Sequence, residues 1–313
     1  MASEHSQHPV YSDEQISRYF DHIRLPSRFR DFRQARKDDN LGFLTALQKH
    51  QLARVPFEDL ALHYSTHHSV SLDPEHLYRK VVDKGMGGYC MENNCFFGTV
   101  LRTLGYDIYS VGARVSDATN GRPGGGFGGW GHMVNIVTLP SGRYAIDVGF
   151  GSNGAVQPLA LRPDIISTGI GPQEHRLRYK SIIPYTNPHQ KLWVFQHRNS
   201  SEDEWSDAYA FTDLEFLPMD YEMISFWTSQ SGKSWFARKI VAVRMILEGE
   251  EVVGTVILED TEIKRRIKGK TEHLGIFTTE AKRVEALKKW FDIELSEEEK
   301  GGIKGTTTQL PGI

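Results

Sequence analysis

Cysteine is scarce. The chain has 313 residues and only two cysteines, Cys90 and Cys95, too few for a disulfide framework. Their spacing is not C-x-x-C, so neither a zinc ribbon nor a thioredoxin-type motif is offered. No apolar run approaches the length of a membrane span. Met1 to Gln15 is polar and lacks the apolar core of a signal peptide. Basic excess is missing too. The formal net charge is −3, and no broad basic footprint marks a nucleic-acid or membrane-surface binder. No internal repeat is visible. A cytoplasmic protein with a free, potentially reactive thiol fits these absences.

What is present centres on Gly85-Met86-Gly87-Gly88-Tyr89-Cys90-Met91-Glu92-Asn93-Asn94. A glycine-rich turn runs into Cys90, and a helical pattern follows. Phe97, Val100, Leu101 and Leu104 recur at helical spacing, and Gly105 stands where the helix would end. Cys90 is thereby expected at the first turn of a buried helix. Unpaired N–H groups and the positive end of the helix dipole favour a thiolate in such a place. The competing reading is a small buried hydrophobe.

Around this stretch, residues 1–12 read as a disordered tail. Helices are expected around Tyr19–Leu25, over Leu41–Leu52 until Pro56 interrupts, and after Ser71-Leu72-Asp73-Pro74. Strands are expected at Ile108–Val115, Met133–Leu139, Tyr144–Val148, His175–Ile182 and Leu192–His197, with a hairpin turn at Ser141-Gly142. Residues 121–131, rich in glycine, read as a flexible loop, a mobile lid or a surface of close approach. They do not match a phosphate-binding P-loop. Farther on, Asp213–Ser229 reads as a helix after an irregular lead-in. Ile240–Leu247 and Glu251–Leu258 read as a hairpin, Thr279–Phe291 as an amphipathic helix, and Gly301–Ile313 as a loose tail.

A nucleophilic cysteine needs a base, and the base needs an orienting group. His132 opens one expected strand and Asp147 ends the next. If these strands pair around Ser141-Gly142, the two side chains meet. A carboxylate among apolar neighbours requires a partner, and an imidazole N–H would supply one. The expectation is a Cys90–His132 ion pair held by Asp147; against it stands a sheet-edge histidine beside a turn-forming aspartate. His63, His67 and His68 lack a completing ligand set and read as an exposed face, so no metal site is expected. Lys264-Arg265-Arg266, with Lys268 and Lys270, reads as a solvated face.

Together these segments resemble the arylamine N-acetyltransferase family. The match lies in Val55-Pro56-Phe57-Glu58-Asp59-Leu60, Gly87 to Asn94, His132-Met133-Val134-Asn135 and Asp147-Val148-Gly149-Phe150-Gly151, with a looser match at Trp227-Thr228-Ser229 and Lys233-Ser234-Trp235-Phe236. The resemblance spans roughly residues 15–295. It implies an α+β fold in three parts: an N-terminal helical bundle (1–86), a central antiparallel β-barrel with the catalytic His and Asp and the Cys at its start (87–204), and a C-terminal α/β lid and tail (205–313), around a cysteine-protease-like Cys-His-Asp core.

The resemblance further implies ping-pong acyl transfer through an acyl-Cys90 thioester, with His132 as base and proton shuttle and Asp147 orienting it. The donor would be an acyl-CoA used as co-substrate, acetyl-CoA by default, with propionyl- and malonyl-CoA as other donors. No cofactor would be permanently bound. The acceptor would be a small arylamine, arylhydrazine or N-hydroxyarylamine. Phe57, Val115, Gly131 and Phe150 would line the acceptor pocket, and Gly128, Gly129, Trp227, Lys233 and Ser234 the CoA path. The enzyme would act in xenobiotic detoxification or secondary metabolism as a monomer or weak homodimer, with neither nucleic-acid nor membrane partners.

The chain departs from the family at Met86, where most members have Arg, so the charge that usually braces the active-site loop is missing from that position. Arg114 and Arg122 are the nearby charges that would favour an acidic acyl group. Two alternatives stay open: another thiol enzyme on the same three residues, an amide hydrolase or transglutaminase-like protein, and an inactive CoA-binding member.

Overall fold

The computed structural model describes residues 8–122 and 124–312. Its first part is helical. Ser12 caps α1 (Asp13–His22) by accepting the Gln15 N–H, and Asp39 caps α3 (Asn40–Arg54) after the shorter α2 (Phe32–Asp38). Pro56 ends that run, and the chain extends through β1 (Phe57–Glu58) before α4 (Ala61–Tyr64). Asp73 caps α5 (Pro74–Tyr78), which passes into a π-helical turn at Arg79–Asp83. The glycine-rich turn then delivers Cys90 as the first residue of α6 (Cys90–Thr103). Phe97, Val100, Leu101 and Leu104 are buried, as their spacing predicts, and Gly105 follows with φ 81°.

Strands follow: β2 (Asp107–Ser116), β3 (Phe127–Leu139), β4 (Gly142–Ile146), β5 (Leu159–Ala160), β6 (Ser167–Thr168), β7 (Glu174–Lys180), β8 (Leu192–Arg198) and β9 (Ser206–Glu215). They make one antiparallel sheet in the order β5-β4-β3-β2-β9-β8-β7-β6. Its two edges curl toward each other, with Gln157 Nε2 donating to Thr168 O at 3.2 Å, so the sheet nearly closes into a barrel. After α7 (Pro218–Gln230) come β10 (Val241–Glu248), β11 (Glu251–Glu259), β12 (Glu262–Ile267) and β13 (Lys270–Ile276), then α8 (Glu280–Phe291) and α9 (Glu297–Gly302). The second sheet has the order β1-β10-β11-β12-β13, so the short strand of the N-terminal part pairs with the C-terminal one. The fold class is α+β.

Several expectations change. Residues 1–7 of the expected tail lie outside the described residues, but Tyr11 is buried. Its N–H reaches Thr103 Oγ1 at 2.9 Å and its hydroxyl donates to Pro74 O at 2.8 Å. The glycine loop becomes strand from Phe127. Phe127 and Trp130 anchor it against Ile182, Leu192, Val194 and Ala210, and β2 supplies the pairing partners. The irregular lead-in before the second-half helix is β9, whose Ala208–Phe211 are all buried, so the eight-stranded sheet runs past residue 204 to Glu215. Its central four apolar residues run on without alternation, because neighbours cover both faces. The basic run 264–270 spans β12 and the turn into β13. The C-terminal stretch is packed, not loose: Ile303 is fully buried with Leu60, Tyr64 and Phe291. Ile313 lies outside the described residues.

Candidate active site

Three segments converge at the N-terminus of α6. β3 brings His132, the turn leaving β4 brings Asp147, and α6 brings Cys90. The β3–β4 ladder runs from Asn135↔Ile146 to Leu139↔Gly142, so His132 and Asp147 lie just beyond its end and meet diagonally. His132 Nε2 lies 2.7 Å from Asp147 Oδ2, both side chains buried. Nδ1 is left for Cys90, whose Sγ also lies 3.7 Å from Gly131 O. Burial works against a charge on His132. The Asp147 carboxylate and the Cys90 sulfur outweigh it and push the imidazole up to about 10. Burial likewise disfavours the Asp147 carboxylate, but His132, Asn94 and the Gly149 N–H hold it below its ordinary value. Sulfur, imidazole and carboxylate are thus set in sequence, with the carboxylate fixing the ring beside the sulfur.

Asn94, one helical turn after Cys90, joins the elements. Its Nδ2 donates to Asp147 Oδ1 and to Met133 O, both at 2.9 Å, and its Oδ1 accepts the Val148 N–H at 3.0 Å. Gly149 allows the close fit. A Cβ there would stand 2.7 Å from both the Cα and the carbonyl oxygen of Cys90. Tyr209, from β9, faces Asp147, and its ring centroid lies 4.9 Å from that of His132.

Of the expected pocket residues, Phe150 packs edge-on to His132 at 5.2 Å, and Phe57 clusters with Tyr89, Cys90 and Met91. Gly131 adjoins the sulfur through its carbonyl. Val115 pairs with Tyr209 across β2 and β9, beside the histidine. The expected CoA-path residues are more dispersed. Gly128 and Gly129 are exposed on β3, and the Gly128 carbonyl accepts from Arg114. Trp227 and Lys233 are exposed, whereas Ser234 is buried two residues before Phe236, whose ring lies 6.1 Å from Phe57 and 5.5 Å from Tyr89. Arg114 is engaged elsewhere, its guanidinium 4.0 Å over the Trp130 ring, and Arg122 is exposed.

A second group went unread in the sequence. Lys80 Nζ lies 2.8 Å from Glu92 Oε1 and 3.2 Å from Glu58 Oε1, all three side chains buried. Burial pushes Glu92 up to about 7. Burial disfavours the charged Lys80, but Glu58 and Glu92 together hold its pKa above the ordinary value. Only Glu58 and Glu92 carried a signal, as members of the quoted motifs. The histidines 63, 67 and 68 do not form one face: His63 is buried, 3.0 Å from both Phe236 O and Thr308 Oγ1. No cluster of three or more His, Cys, Asp or Glu among the described residues could hold a metal ion.

A family model described as N-acetyltransferase matches residues 40–300. The chain belongs to the arylamine N-acetyltransferase family. It is 36% identical over 94% of its length to the N-malonyltransferase FDB2 of Fusarium pseudograminearum, 93% of which is covered. It is 28% identical to the arylamine N-acetyltransferase of Escherichia coli, over 69% of this chain and 70% of that one. Its structure superposes on that of the Mycobacterium marinum arylamine N-acetyltransferase in complex with CoA with a TM-score of 0.75, at 26% identity, covering 92% of this chain and 97% of the other. Membership in this family makes the chain an acyltransferase. No helix among the described residues is long and apolar enough to cross a membrane.

Proposed function

We propose that the chain transfers an acyl group from an acyl-CoA to the nitrogen of a small aromatic amine, hydrazine or N-hydroxyarylamine, with Cys90, His132 and Asp147 as its catalytic residues. The observation that carries this is the buried convergence of a sulfur, an imidazole and a carboxylate at a helix N-terminus in a chain of this family. The Cys90 thiolate attacks the thioester carbon. The CoA sulfur leaves and takes the proton from the His132 imidazolium, giving acyl-Cys90 and free CoA. The amine nitrogen then attacks the acyl carbon and its proton passes to His132. Cys90 leaves as thiolate, which restores the starting pair. An aromatic amine is largely neutral at pH 7, so it needs no strong base. Phe57 and Phe150 offer apolar walls for its ring. Val115 and Gly131 border the same space, while Gly128, Gly129, Trp227, Lys233 and Ser234 would contact the CoA.

The name of the Fusarium relative supports a malonyl group as one cargo, with acetyl as the other. Arg122, and Arg114 if it leaves Trp130, are the cations to test for an acidic acyl group. Equal use of acetyl- and malonyl-CoA by wild type, R114A and R122A would remove them from that role. The reading also has the chain in three parts, with the barrel continued to Glu215, acting in the cytoplasm as a monomer or weak homodimer.

Intact mass after mixing with acetyl-, propionyl- and malonyl-CoA in turn tests the whole reading. An adduct absent from C90A and discharged by an added arylamine supports it. An adduct lost to water at the same rate with or without amine points to a hydrolase. No adduct from any donor overturns the transferase.

A further inference from the structure

Lys80 enters from the π-helical turn, a local widening that often marks a functional place in a helix. Its ammonium is 7% exposed and stands between Glu58 at 0% and Glu92 at 2%. Each carboxylate has a second task. Glu92 Oε2 accepts the N–H of Tyr89, the residue before the nucleophile, at 3.1 Å. Glu58 Oε2 accepts the Leu60 N–H at 2.6 Å, fixing the bend after β1. The Glu58 N–H in turn donates to Gly88 O at 3.0 Å, and Asn93 Nδ2 donates to the same oxygen at 2.8 Å. Three separate segments, the π turn, the β1 bend and the first turn of α6, are thus drawn onto one ammonium. Met86, inside the glycine-rich turn, is buried among Leu60, Tyr64, Phe291 and Ile303 and brings no charge.

The position gives the ammonium an electrostatic role as well. Glu92 follows Cys90 by two residues in the first turn of α6. Negative charge on Glu92, or on Glu58 across the same ammonium, stands against a charge on the nearby sulfur, and the single cation between the two carboxylates offsets it. We infer that Lys80 is a positioning residue for the nucleophile: it ties the turn before Cys90 to β1 and offsets the carboxylates that would otherwise oppose the thiolate. This rests on Cys90 being the reactive group and is independent of which acyl donor is used.

A buried ion pair that merely held the fold would, when broken, loosen the shell around Cys90, which is only 4% exposed, and speed its alkylation. The positioning role has the opposite sign. Iodoacetamide labelling of Cys90, followed by intact mass in a C95A background, should slow about tenfold or more in K80M and stay within about threefold of the parent in K80R. E92D is the second variant, for the case that K80M does not fold. It keeps the charge but cannot both reach Lys80 and cap Tyr89, and its labelling should also slow. Parental or faster labelling in folded K80M, or in E92D where K80M fails to fold, overturns the inference. Iodoacetamide needs no CoA, so a failure of the acyl-transfer reading would appear separately, as an absent acyl adduct on the wild type.

Discussion

Asn94 Nδ2 donates to Asp147 Oδ1 at 2.9 Å while His132 Nε2 occupies Asp147 Oδ2 at 2.7 Å. Each carboxylate oxygen has its own partner, so the carboxylate cannot rotate without breaking one contact to the Cys90 helix or one to His132. Replacing Asn94 by Ala removes a buried hydrogen bond to a charged group, which costs about 1.5–3 kcal/mol. The contacts to Met133 O and the Val148 N–H go with it, so we expect N94A to lose at least that much stability in urea denaturation. Acylation of Cys90, followed by CoA release in stopped flow, should fall about ten- to a hundredfold. A wild-type acylation rate would show that Asp147 is held well enough by Gly149 and His132.

The His132–Asp147 pair makes stability depend on pH with a definite sign. His132 is raised from 6.5 to about 10, so the folded state holds a proton that the unfolded chain releases in that interval. Its contribution is full below pH 6.5 and is lost as pH rises toward 10. Asp147 is lowered, and its contribution is present above the ordinary carboxylate range and is lost as pH falls through the folded value. The stability gap between wild type and D147N should therefore be widest near pH 5–6 and narrow steadily by pH 9.5. Denaturant midpoints at those two pH values check it; a gap that widens with pH would contradict the protonated histidine.

Gly149 predicts a steric failure. Its Cβ position is occupied by the backbone of Cys90 at 2.7 Å. In G149A either the nucleophile or the Asp147 turn must move, at about 1–3 kcal/mol. Displacement of about 1 Å is enough to lower acylation about a hundredfold. A fully active G149A would mean that the turn relaxes away from the site.

The C-terminal stretch is expected to matter for the fold. Ile303 is fully buried, and I303A should destabilise by about 2–5 kcal/mol. Thermal unfolding measures this directly. An unchanged midpoint would return the stretch to the loose tail that its glycines suggest.

The site was legible in the sequence where chemistry and local period coincide. Cys90 was readable because glycines precede it and an apolar face with period 3.6 follows. His132 and Asp147 were readable because a Ser-Gly turn sets two strands back to back. Lys80 and Tyr209 were not, for different reasons. Lys80 lies in a π turn whose extra residue breaks helical spacing, and a lysine that follows an arginine looks solvated. Tyr209 lies in a strand covered on both faces, which removes the alternation that would have announced it. The tail reads as loose because Thr308 and Ile303 are held by tertiary partners, Arg283 and His63 on one side and Leu60 and Tyr64 on the other. None of these is close in sequence.

Phe57 and Glu58 form a strand against Val243 and Ala242, while the Pro56 carbonyl and the Glu58 N–H, on either side of Phe57, bracket Gly88. The Cys90 sulfur is accordingly moored to the second sheet through this short segment and a glycine, as well as to the barrel through Asn94. A rocking of one sheet against the other would carry Cys90 away from His132 before it widened any passage.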